Sequence, residues 1–71
     1  MSAFELKPNQ IGIVKEIQHS GVQRMRMLDL GFVPNSEIKC AYRNNSLIAF
    51  TVKNSLMAIR NDDAKKIIIQ T

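Results

Sequence analysis

The stretch Ser20-Gly21-Val22-Gln23-Arg24-Met25-Arg26-Met27-Leu28-Asp29-Leu30-Gly31-Phe32-Val33-Pro34 decides the fold. Ser20 stands three residues before Gln23, the spacing of a capping box, in which the serine oxygen accepts the Gln23 amide and the glutamine reaches back. Val22, Met25, Leu28 and Leu30 then form an apolar stripe at helical spacing. Gly31 follows as the residue past the helix, where a left-handed conformation carries no Cβ penalty. Phe32 is placed to fold back on the last turn, and Pro34 blocks continuation. The spacing predicts a helix from Gly21 or Val22 to Leu30. So short a helix does not persist alone in water, so its stripe must rest on a sheet.

On both sides of this segment the period changes from helical to alternating. Upstream, Ile11-Gly12-Ile13-Val14-Lys15-Glu16-Ile17 is rich in β-branched residues and reads as the first strand, with Ile11, Ile13 and Ile17 inward and Lys15 breaking the pattern. Gly12 reads as a bulge or tight bend. Met1 to Leu6 reads as an arm leading in, and Pro8-Asn9 as a turn. Downstream, Pro34-Asn35 is a turn pair, asparagine tolerating the positive φ of a type II turn. Glu37 to Tyr42 alternates, with Ile38, Cys40 and Tyr42 on one face, and Asn44-Asn45 is a hairpin turn. Ser46 to Val52 carries Ile48, Phe50 and Val52 on one face. Lys53-Asn54-Ser55 turns the chain into a strand from Leu56 to Arg60. Asn61-Asp62-Asp63 caps a single helical turn through Ala64, and Lys66 to Gln70 is the last strand. The fold class expected is mainly β: a small five-stranded, partly open barrel with one short α-helix between strands 1 and 2, the helix plugging one end.

Seventy-one residues specify one domain, 1–71, with a small core. The single cysteine, Cys40, allows no intramolecular disulfide, which suits a reducing compartment. Met1 to Lys7 lacks a basic segment followed by an apolar run, and the longest apolar stretch, Ile67-Ile68-Ile69, is far short of the ~20 residues of a spanning helix. A cytoplasmic protein without membrane insertion is expected. Exposed strand edges on a thin core favour weak homo-oligomerisation.

Catalytic chemistry finds no constellation, and no enzyme is expected. His19 has no metal ligands spaced around it and reads as a solvated or loop-packed histidine. Cys40 reads as a buried, inert thiol, since a nucleophile needs an adjacent base. Asp62 and Asp63 read as helix caps rather than paired carboxylates. No cofactor and no resident metal site is expected, and transient contact with a divalent metal has no ligand cluster behind it. Net charge is +4 with a pI near 9.7, and no basic run exceeds two residues. Tyr42 beside Arg43 is the only usable stacking platform, so nucleic acid is a disfavoured partner.

Arg24-Met25-Arg26-Met27-Leu28-Asp29-Leu30-Gly31-Phe32-Val33-Pro34 resembles the R-x-R-L-x-D-L-G-aliphatic-x-P-G signature of the ferrous-iron transport protein A (FeoA) family. Met57-Ala58-Ile59-Arg60-Asn61-Asp62-Asp63-Ala64-Lys65-Lys66-Ile67 is similar to that family's second signature, A-[LI]-R-x-x-[DE]-A-x-x-I. The resemblance covers nearly the whole chain. It implies an SH3-like barrel and a small cytoplasmic accessory acting on the membrane ferrous-iron transporter that carries a cytoplasmic GTP-binding domain. A related barrel occurs in iron- and manganese-responsive repressors, which supplies the alternative of a stand-alone interaction domain of that type. Asn35 replaces the glycine expected after Pro34, and the proline-bearing loop of many members is missing around Asn44-Asn45. Arg24 and Arg26 point about 200° apart on the helix. Arg26 at i+3 spacing from Asp29 suits an ion pair, while a partner-facing guanidinium is the competing role. The expected partner-binding residues are Arg24, Arg26, Asp29 and Arg60.

Overall fold

The computed structural model describes all residues, 1–71. A short 3₁₀ turn at Ala3–Glu5 precedes β1 (Ile11–Ile17), α1 (Gly21–Leu30), β2 (Glu37–Arg43), β3 (Leu47–Val52), β4 (Ser55–Arg60), α2 (Asn61–Ala64) and β5 (Ile67–Gln70). The strands form one antiparallel sheet in the order β4-β3-β2-β1-β5, with α1 between the first two strands in sequence. No helix is long and apolar enough to cross a membrane.

The exit from α1 is built as its sequence requires. Gly31 takes φ 108°, its N–H donates to the Leu28 carbonyl at 3.0 Å, and the Phe32 N–H donates to the Met27 carbonyl at 3.1 Å. This is a Schellman motif, and its hydrophobic clasp joins Met27 and Phe32, both buried. Asn35 takes φ 75°, and the Ser36 N–H donates to the Val33 carbonyl at 3.0 Å, closing a type II turn over Pro34-Asn35. Ser20 is the N-cap but its side chain makes no capping bond. Gly21 at φ 59° stands between Ser20 and the helical backbone, and the expected capping box does not form.

The apolar stripe also departs from expectation. Val22 is 72% and Met25 65% exposed, whereas Met27 is buried, and Leu28 and Leu30 pack partly against the core. The helix meets the sheet along its C-terminal half, so the residues that anchor it are those nearest the Gly31 turn.

Two bulges account for the strand alternations that failed. A register shift between Val14 and Glu16 inserts Lys15 as an extra residue, so Val14 and Ile17 both face the core at a spacing of three. Ile11 is consequently exposed and Ile13 only half-buried; Gly12 is no bulge but lies against the Ile69 side chain. A second shift between Cys40 and Tyr42 turns Tyr42 outward to 54% exposure. The core holds Ile38, Cys40, Ile48, Phe50, Val52, Ile59, Ile67 and Ile69 from the sheet, capped by Phe32, whose ring meets Phe50 edge-on at 5.9 Å.

The N-terminal arm is part of this core. Ala3 and Leu6 are fully buried. The Arg43 guanidinium donates to the carbonyls of Phe4 (2.6 Å) and Leu6 (2.8 Å), and the Phe4 ring lies between Arg43 and Lys65, each 4.8 Å from its centroid.

Candidate functional site

Arg26 and Arg60 stand far apart in the sequence, yet the fold sets them on opposite walls of one cleft of about 320 Å³. α1 supplies Gln23, Arg26 and Met27; the end of β4 supplies Arg60; the segment through α2 supplies Asp62, Asp63 and Lys66. The i, i+3 and i+4 spacing puts Gln23, Arg26 and Met27 on the same side of the helix. Met27, almost wholly buried, is the one apolar residue of the lining.

The carboxylates of this cleft face other groups. Asp63 Oδ1 lies 3.3 Å from Nε2 of His19, and Asp62 Oδ1 lies 3.8 Å from Lys65 Nζ. Arg26, Arg60 and Lys66 have no carboxylate within ion-pairing distance. Arg26 does not pair with Asp29. The cleft therefore holds three cations without ion-pair partners beside two carboxylates that face elsewhere, an arrangement that keeps charge-assisted hydrogen bonds to an incoming carboxylate available. Of the other expected site residues, Arg24 turns away, donating to the Ile17 carbonyl at 3.0 Å and fastening α1 to the end of β1. Asp29 is exposed, outside the cleft and without an ionic partner.

The FeoA domain family matches residues 1–71, the whole chain. The chain belongs to the FeoA family. The solved structures similar to this FeoA-family chain include the FeoA protein of Chlorobium tepidum, at 24% identity and a TM-score of 0.89, covering 97% of this chain and 68% of that one. Another is Stenotrophomonas maltophilia FeoA complexed with zinc, described as a procaryotic SH3 domain protein that possibly acts as a ferrous iron transport activating factor. It is 21% identical with a TM-score of 0.85, covering 99% of this chain and 89% of that one. A manganese-dependent transcriptional repressor is similar at 14% identity and a TM-score of 0.87, over 97% of this chain and 39% of that one. These likenesses show an SH3-like fold. No curated protein matches the chain.

Within this FeoA-family fold His19 is neither solvated nor idle. Its imidazole is wholly buried and lies against Asp63 of α2. The approach is close but not aligned as a hydrogen bond, so neither ring nitrogen has a hydrogen-bond partner. No three of the His, Cys, Asp and Glu side chains converge on a point that could hold a metal ion. Cys40 is fully buried, and burial pushes its thiol up from the usual value of 9.0, against a smaller opposing pull from the Arg43 charge. Sequence reasoning missed Gln23, Lys66 and the His19–Asp63 contact as parts of this site. Lys66 follows Lys65 in an exposed pair, and nothing in that pair distinguishes the residue that faces α1. Arg43, read as one half of a stacking platform with Tyr42, is committed to the N-terminal arm.

Proposed function

We propose that this chain is a small cytoplasmic regulatory protein of a ferrous-iron transport system, docking on the cytoplasmic GTP-binding part of the membrane transporter. The observation that carries this reading is the convergence of Arg26, Arg60 and Lys66 on one cleft without carboxylate partners. Membership of the FeoA family and the activating role named for the Stenotrophomonas protein supply the transport system. Binding a protein that interconverts between nucleotide states would bias whichever state presents the matching acidic surface, since a ligand shifts an equilibrium only by its differential affinity for the two states. The reading needs no resident metal; Fe²⁺ is the cargo of the transporter.

Calorimetry with the purified cytoplasmic part of the transporter, with and without guanine nucleotide, tests this. The expected result is binding in the micromolar range that weakens about tenfold in Arg26→Glu, because reversing one charge of a partly desolvated pair costs about 1.4 kcal/mol or more. Absence of heat at tens of micromolar in every nucleotide state contradicts the proposal. The likeness to the repressor supports a second reading, an interaction domain within a larger metal-responsive assembly. That reading predicts binding to a repressor-type polypeptide and none to the transporter.

A further inference from the structure

The two ends of the sheet are finished differently. At the β5 end the chain covers its own edge: the Ile69 N–H donates to the Met1 carbonyl at 2.8 Å, the Met1 amine donates to the Ile69 carbonyl at 3.4 Å, and Ser2 bridges Ile68. Arg43 locks that strap through the Phe4 and Leu6 carbonyls. At the other end β4 pairs with β3 alone.

The register shows which backbone groups β4 leaves open. Lys53 and Asn54, at φ 51° and 67°, make a two-residue turn of the I′ kind, which makes Val52 and Ser55 a hydrogen-bonded pair. Hydrogen-bonded pairs alternate with open ones along an antiparallel ladder. Ser55, Met57 and Ile59 therefore bond to β3, and the Asn61 N–H, next in that series, donates to the Ser46 carbonyl at 3.0 Å. Leu56 and Ala58 point their N–H and C=O groups away from the sheet; Arg60 points its N–H the same way, while its C=O, at the N-cap of α2, accepts the first bond of that helix. Natural edge strands are usually blunted by a proline, a bulge, an inward charge or a cover. β4 carries no proline, its ladder with β3 runs without a shift over its whole length, and its core-facing residues, Met57 and Ile59, are apolar.

We infer that the outer edge of β4 is a strand-addition site for an extended, acidic segment of a partner polypeptide. Backbone bonds to Leu56, Ala58 and the Arg60 N–H would supply the register. Leu56, 60% exposed, would meet an apolar side chain of the incoming strand. Charge selects the occupant. Lys53 and Arg60 bracket the edge, both exposed, and no acidic residue lies between them. A second copy of the chain would bring the same cations and another net +4 against this edge. The inference goes beyond the docking proposal above, because it concerns the backbone edge of β4; Arg60 alone is shared with the cleft, and the inference stands whether or not the transporter is the partner.

The test is an amide-resolved titration with a capped peptide of alternating valine and glutamate. In the free protein, the amides of Leu56, Ala58 and Arg60 should exchange with solvent much faster than those of Met57 and Ile59. The peptide should slow exchange at these three amides. Ala58→Pro removes the outward N–H but no bond to β3, and should weaken binding at least about tenfold. Lys53→Glu, which leaves the backbone untouched, should weaken it several-fold, and a valine–lysine peptide should not bind. Protection of the three amides in the free protein overturns the inference, and with a doubled mass in sedimentation it assigns the edge to a second copy. Absence of binding at about 1 mM peptide, or equal binding by both variants, also overturns it.

Discussion

Gly31 shows how much one residue can settle. Its φ of 108° is strained for any L side chain, and a Cβ there would stand 2.9 Å from Val52 Cγ1 in the core. Gly31→Ala combines both penalties and should cost about 1–3 kcal/mol in chemical denaturation; a loss under half that range would mean that the Schellman turn relaxes freely. Cys40 yields a prediction in pH. Its thiol is held protonated by burial above the usual 9.0. As pH rises past that value the unfolded chain releases the proton first, so native stability falls, while below it the thiol contributes no pH dependence. Native-state labelling by a thiol reagent at pH 8 should proceed only at the rate of unfolding. Gly31, Pro34 and Asn35 were legible in sequence because each acts through its own backbone geometry. His19 and Arg43 were not, because their partners, Asp63 and the carbonyls of Phe4 and Leu6, lie more than thirty residues away and only the folded chain brings them near.

At the level of elements, existence and order could be read directly, while facing could not. β1 has the bounds its β-branched run implies, and α1 ends where glycine and proline place its stop. Which side chains point inward was misjudged wherever an extra residue entered a ladder. Lys15 and Ala41 shift the alternation by one position, and a single-residue slip reverses every side chain beyond it. In α1 four apolar residues at helical spacing promised a full-length contact, but only the C-terminal half meets the core. Met27→Ala should therefore cost about 2–4 kcal/mol in stability, whereas Val22→Ala and Met25→Ala should each change it by less than about 0.5 kcal/mol. Equal losses at all three positions would show that the helix lies flat on the sheet.

For the whole molecule, the N-terminal arm proved to be structure rather than a lead-in, covering one end of the sheet while the other stays open. The two walls of the cleft between α1 and the segment through α2 are placed by contacts at three points: His19 against Asp63, Arg24 on the end of β1 and the turn at Gly31. Arg26 and Arg60 were legible as candidates from the motifs that contain them, but their convergence with Lys66 is a property of the fold. The most direct test of docking through this cleft is an amide-resolved titration of the chain with the cytoplasmic GTP-binding part of the transporter. The perturbed amides should concentrate at Gln23, Arg26, Arg60 and Lys66; perturbations gathered instead around Tyr42 and the outer face of β2, with the cleft unchanged, would contradict docking through the cleft.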